Sequence, residues 1–168
     1  DISNFYKLTP FCIDRPSHLN HQEILSGNAK SNDQILEKYF EIDRKYNHPT
    51  PDNLNPLKEF NNGGVEIQVF YPKNCATSNL NNHSIVTVVS FAGSKLLIPG
   101  DNEEPSWNEL LEREDFLSAI ENTDVLVASH HGRKAGFSPA LFEHIGQMPY
   151  LTIISDARRC SQFARICT

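Results

Sequence analysis

The segment Ser84 to Asp101, SIVTVVSFAGSKLLIPGD, limits the fold of this chain more than any other. Two runs rich in β-branched and aliphatic residues flank Ala92-Gly93-Ser94, a turn sequence, so the segment predicts a hairpin with strands over 84–91 and 95–98. A hairpin this apolar must bury at least one face. The residues after it supply the means. WNELLEREDFLSAIEN reads as a helical stretch with Trp107, Leu110, Leu111, Phe116 and Ile120 on a packed face, Trp107 being a core anchor. DVLVAS follows as a short buried strand. SPALFEHIG is then a helix capped by Ser138 with Pro139 at its first position, and LTIIS is a last buried strand. Strand, helix, strand, helix, strand is an α/β pattern.

Upstream the composition changes near residue 64. Residues 65–70, VEIQVF, alternate with period two and end at Pro72. Residues 1–62 are rich in Asn, Asp, His and Pro. Their one predicted helix lies around SNDQILEKYFEIDRKYN, where Ile35, Leu36, Tyr39, Phe40 and Ile42 form the apolar stripe and Ser31 or Asn32 caps the start. HPTPDNLNP, with three prolines in nine residues, reads as extended loop.

At 168 residues the chain fits one domain, and the formal charge of −6 argues against a protein that holds nucleic acid mainly through a basic surface. A nuclease is still allowed, because two bound divalent ions would add about four positive charges at one spot. A 39% hydrophobic share and a mean hydropathy of −0.44 fit a globular cytoplasmic protein with no membrane span and no signal peptide. Cys12, Cys75, Cys160 and Cys167 form no CxxC pair, so reduced thiols are the simplest account.

Two strand ends carry candidate chemistry. KLLIPGD ends in Asp101 and VLVASHHG ends in His130-His131-Gly132. Side chains just past the carboxyl ends of strands project into the crevice where α/β sheets bind ligands. A carboxylate oxygen and an imidazole nitrogen suit zinc or manganese. Each motif alone is commonly a turn with a helix cap or a loop; in this order, with a helix between, they are far rarer. Arg133 and Lys134 could meet a phosphate or be a solvated basic pair, and Arg158-Arg159 could steer an anion. Asn79, Asn81 and Asn82 read as Asx turns. His48 and His144 belong to no nameable ligand set.

The ordered set NLNNHSIVTVVSFAGSKLLIPGD, DVLVASHHGRKAGFS and YLTIISD resembles the hydrolase domain of ComEC-type DNA-uptake proteins and related metallo-β-lactamase-fold hydrolases, over about residues 65–156. The resemblance implies the second half of an αββα sandwich. Residues 63–168 would be that C-terminal half, and 1–62 a variable helix and loop region. It further implies Asp101 as a metal-bridging carboxylate and one of His130 and His131 as a ligand, the other orienting substrate or moving a proton; strand alternation favours His130. Two ions, zinc or else manganese, are implied in the complete domain. The family's HxHxDH motif does not occur in this sequence; the nearest pattern, HLNH from His18 to His21, reads as a surface-loop pair. Activity therefore requires an N-terminal half or partner chain that supplies the motif. The implied function is metal-dependent hydrolysis of a phosphodiester, in nucleic acid or a nucleotide-like ester. An acyl substrate, as for a lactonase or thioesterase, is the second choice, and a non-catalytic binding or assembly module is the reading from a different class.

Overall fold

The computed structural model describes residues 2–13 and 15–155. Arg158, Arg159, Cys160 and Cys167 lie outside the described residues. The five strands lie in chain order across a single mixed sheet: β1 (Glu66–Phe70), β2 (Val86–Phe91), β3 (Ser94–Ile98), β4 (Val125–Val127) and β5 (Leu151–Ile153). β1, β2 and β3 pair antiparallel, with Val88 opposite Leu97, whereas β4 joins β3 in parallel and β5 joins β4 in parallel. The hairpin turns at Ala92-Gly93, both at positive φ (50° and 81°), which matches the twist of the flanking strands.

One face of the sheet carries Phe70, Val86, Val88, Leu97 and Leu126. On it pack three helices, α4 (Glu104–Leu110), α5 (Glu114–Ile120) and α6 (Pro139–Ile145), through Trp107, Leu110, Phe116, Ile120, Leu141 and Ile145. Burial of each large apolar side chain contributes roughly 1.5–3 kcal/mol. Phe70 meets Phe116 edge-on, ring centroids 5.2 Å apart.

The expected single helix over 107–122 is two helices. Trp107 and Phe116 are nine residues apart, and at about 100° per residue an unbroken helix would point them to opposite sides. The break at residues 111–113 turns both toward the sheet. Arg113 takes an extended backbone there and donates two hydrogen bonds to Asp115, 3.1 and 2.8 Å, while Asp115 also accepts from the Phe116 N–H. α6 starts as expected, the Ser138 hydroxyl accepting from the Leu141 N–H at 3.4 Å, and ends at Gly146 in the left-handed region.

The second face of the sheet is apolar and largely open. Ile67, Val89, Leu96, Val125 and Leu151 are successive partners in one row across all five strands, and Ile98, Val127 and Ile153 stand on the same face. Phe91, Ile98, Leu151 and Ile153 are 57%, 37%, 53% and 41% exposed, far from the near-zero values of the helix-covered face. The N-terminal region reaches the β1–β2 corner, where Pro16 and Leu57 line a groove with Ile67 and Val69.

That region forms α1 (Ile2–Lys7), α2 (His21–Ser26) and α3 (Asp33–Lys45). α2 opens on a capping box between Asn20 and Glu23, a signal present in the sequence but masked by the polar composition around it. α3 buries Phe40 and Ile42, leaves Ile35 exposed, and is entered through a 3₁₀ turn over Lys30–Asn32 with no side-chain cap. The HLNH pair is not a surface-loop pair. His18 stacks on Tyr71 and its Nε2 lies 2.9 Å from His83 Nδ1, while His21 stacks on Phe40 and holds Asp43 at 2.8 Å. Arg15 completes an ion pair with the same Asp43. These contacts tie the N-terminal segment to the sheet and to α3. Among the described residues no helix is long and apolar enough to cross a membrane.

Candidate functional site

β3 leads through Pro99 into Gly100, which adopts φ +63°; a Cβ there would lie 2.9 Å from Ser84 Cβ and 3.0 Å from Ile85 O. Only glycine turns the chain so tightly, and the turn sets Asp101 at the sheet rim with its side chain 41% exposed. Asn102, fully buried, pins the turn by donating to the carbonyls of Pro99 (2.7 Å) and Ser84 (3.0 Å). Glu103 precedes α4, its N–H donating to Asn82 Oδ1 at 3.1 Å.

β4 leads into Ala128, Ser129 and the histidine pair. His130 and His131 adopt left-handed backbone (φ +47° and +58°), followed by Gly132 at +77°. Successive non-glycine residues in that region cost energy and persist where the surroundings over-determine them, commonly at functional sites. The surroundings here are specific. The His130 N–H donates to the Gly100 carbonyl at 3.0 Å, and the Ser129 hydroxyl donates to the carbonyls of Gly100 (3.3 Å) and Asn102. Trp107 Nε1 donates to the Gly136 carbonyl at 3.2 Å, anchoring the far side of the loop to α4.

This stitching brings Asp101, His130 and His131 to one rim although some thirty residues separate the aspartate from the histidines. His131 Nε2 lies 3.4 Å from Asp101 Oδ1 and its Nδ1 lies 3.0 Å from Ser155 Oγ, with the ring 44% exposed. His130 points elsewhere. Its ring is 12% exposed, Nδ1 lies 3.0 Å from Glu103 Oε1, and Nε2 lies 3.3 Å from Arg133 Nη1. The Glu103 oxygen sits off the N–H direction, so the contact is a close approach and not a straight hydrogen bond, and Nδ1 is buried with no hydrogen-bond partner among the described residues. Lys134 opens a 3₁₀ turn beside Arg133, and no described contact joins it to the rim.

Two parts of this arrangement escape a sequence reading. Glu103 was no candidate, yet it faces His130 and accepts from Asn79 Nδ2 (3.0 Å) and Asn81 Nδ2 (3.4 Å). The asparagines do form the expected Asx turn, Asn79 Oδ1 accepting from the Asn81 N–H at 3.2 Å, but they also hold a carboxylate, and Asn82 binds Ser106 Oγ at 2.7 Å. The signal available was the pairing of an Asn-rich loop before one strand with a carboxylate after the next.

The donors at the rim suit a divalent ion in kind, carboxylate oxygen and imidazole nitrogen, but not in number. Among the described residues no three His, Cys, Asp or Glu side chains form a group able to hold an ion. The rim is a partial donor set.

These features define a mixed α/β chain whose polar side chains gather at the carboxyl ends of two adjacent parallel strands. Over 95 residues it is 33% identical to Recombination protein 2 of Haemophilus influenzae (strain ATCC 51907 / DSM 11121 / KW20 / Rd), a stretch that makes up 56% of this chain and 11% of that protein. No protein-family profile matches the chain, and no solved structure does.

Proposed function

We propose that this chain supplies one half of a metal-dependent hydrolase of the metallo-β-lactamase type, cleaving phosphodiester bonds in nucleic acid. The observation that carries the reading is the approach of His131, on a loop of strained backbone, to Asp101 at the end of the neighbouring strand, 3.4 Å apart. Zinc, or else manganese, would be held jointly by Asp101, a histidine and ligands from a complementary half. The bound ions would supply an activated water and neutralise charge that develops on the phosphoryl group. This chain's own groups have separate tasks. The Asp101 carboxylate and His131 face each other where a proton can be held at Nε2, and the Arg133 guanidinium offers a planar donor set for a phosphate oxygen.

Two further observations support the proposal, one for the half-domain and one for the substrate. The open apolar face, with its row from Ile67 to Leu151, has the character of a sheet interface awaiting a second layer. The likeness to Recombination protein 2 favours a role with DNA in recombination over an acyl substrate.

The test is hydrolysis by the full-length protein of single- and double-stranded DNA, a generic phosphodiester, a lactone and a thioester, with zinc or manganese supplied. DNA or phosphodiester cleavage that Asp101→Asn abolishes is the expected result. Cleavage confined to the lactone or thioester would move the activity to the acyl class. Turnover of none of them, or turnover indifferent to Asp101→Asn, would leave the chain as a binding module.

A further inference from the structure

His130 is held from both sides of its ring, and the two sides differ in kind. At Nε2 the neighbour is Arg133 Nη1, 3.3 Å away, and a guanidinium only donates, so Nε2 presents its lone pair. At Nδ1 the neighbour is Glu103 Oε1, 3.0 Å away, the two side chains being 12% and 19% exposed. A carboxylate oxygen against a bare ring nitrogen would be lone pair against lone pair in a poorly solvated spot, and Nδ1 has no other partner among the described residues. The proton therefore belongs on Nδ1. Glu103 is in turn fixed: Asn79 Nδ2 donates to its Oε2 at 3.0 Å, Asn81 Nδ2 to its Oε1 at 3.4 Å, and Asn82 Oδ1 accepts its backbone N–H at 3.1 Å.

We infer that Glu103 is a positioning residue: held by the asparagine loop 79–82, it keeps His130 in the Nδ1–H tautomer, with the Nε2 lone pair turned toward the Arg133 guanidinium at the rim. A carboxylate behind a histidine is the arrangement that fixes ring orientation and raises basicity at the opposite nitrogen. The use of Nε2, as a donor to an ion or an acceptor of a proton, rests on the hydrolase reading; the tautomer does not. The inference also separates the two histidines, since His131 has a serine and the more exposed carboxylate of Asp101 as neighbours.

The experiment is ¹⁵N magic-angle-spinning NMR of the full-length, chelator-treated protein labelled at histidine, at pH about 9, where imidazoles are neutral. The His130 ring signals are assigned by their loss in His130→Asn. Wild type is expected to show protonated Nδ1 and bare Nε2 at His130. Glu103→Ala should shift the ring to a mixture with Nε2–H, and Glu103→Gln, which keeps an acceptor oxygen, should restore Nδ1–H while the His18 and His83 signals stay put. A wild-type His130 carrying its proton on Nε2 overturns the inference outright, whether or not the variants fold. An Nδ1–H ring unchanged by Glu103→Ala overturns the role of Glu103. Loss of Nδ1–H in Glu103→Ala, in a protein that hydrolyses nothing, supports the positioning role and sinks only the hydrolase reading.

Discussion

The backbone N–H of His130 donates to the carbonyl of Gly100 across 3.0 Å, so the turn that delivers Asp101 and the loop that delivers the histidines are joined through main chain, independent of the side chains at the rim. Rim side chains can then be changed with little effect on the scaffold.

Replacing Asp101 by Ala, or His131 by Ala, should cost orders of magnitude in hydrolysis. The melting temperature of the metal-free protein should hardly move. Asp101 and His131 are about half exposed, and pairs of that kind contribute about 0–1 kcal/mol. If Asp101 were only a turn residue, the outcome would reverse: a stability loss of about 1 kcal/mol and unaltered activity. Parallel thermal and kinetic measurements separate the two.

Gly136→Ala should damage the site from behind. A Cβ at Gly136 would lie 2.6 Å from the Ser129 carbonyl oxygen and 2.9 Å from His130 Cβ. Backbone cannot yield as a flexible side chain does, so the loop must shift and strain the Trp107–Gly136 hydrogen bond. A destabilisation of roughly 1–3 kcal/mol in denaturant titration is expected. An unchanged midpoint would mean that the loop is looser than its contacts imply.

Acid should loosen the N-terminal segment. Burial, and secondarily the neighbouring His83, lower the pKa of His18 below its ordinary 6.5. Above that value the ring is neutral folded or unfolded, and the shift has no effect on stability. As pH falls below 6.5 the unfolded chain takes up the proton first, so stability declines until the lowered folded value is passed. His18→Phe, which keeps the stacking on Tyr71, should flatten the slope of stability against pH in that window. A slope identical to wild type would remove His18 as its source.

Metal binding by this chain alone should be weak. A structural zinc needs about four ligands, and the rim offers Asp101 with one or two imidazoles. Two ions per chain retained after dialysis, measured by elemental analysis, would mean that the chain holds ligands beyond the rim.

The open sheet face should make the chain self-associate or bind a hydrophobic dye when expressed by itself. Lysines at Phe91 and Ile153 should reduce both, because each side chain stands on that face and is exposed. Light scattering reads the result. A monodisperse wild-type monomer with a sharp cooperative melt would count against an uncovered interface.

The hairpin, the cap at Ser138 and the succession of strands along the chain were legible because each rests on local signals: β-branched runs, a glycine turn, and a Ser-Pro start. The break between α4 and α5 was not, because LEREDF continues good helix-forming composition and only the demand to bury both Trp107 and Phe116 against one sheet forces the turn. Asp101 and the histidines were found as motifs at strand ends. Glu103 was missed for a different reason: its partners Asn79, Asn81 and His130 lie 22 to 27 residues away in sequence, and no short pattern encodes such a contact. His18 was misread because its partner, His83, is 65 positions downstream.

The sheet follows chain order, and its pairing changes from antiparallel to parallel at one boundary, between β3 and β4. A hairpin closes a loop of a few residues and forms early and cheaply in chain entropy, whereas docking β4 requires residues 99–124 to be gathered first into α4 and α5. Asp101 and His130 sit on opposite sides of that boundary. The rim therefore comes into existence only at the slower of the two closures, and a nascent or partly unfolded chain that keeps the hairpin carries the aspartate without its histidines. Any reactivity built on the pair would be withheld until the helices have packed, and its appearance would then report the completeness of the fold.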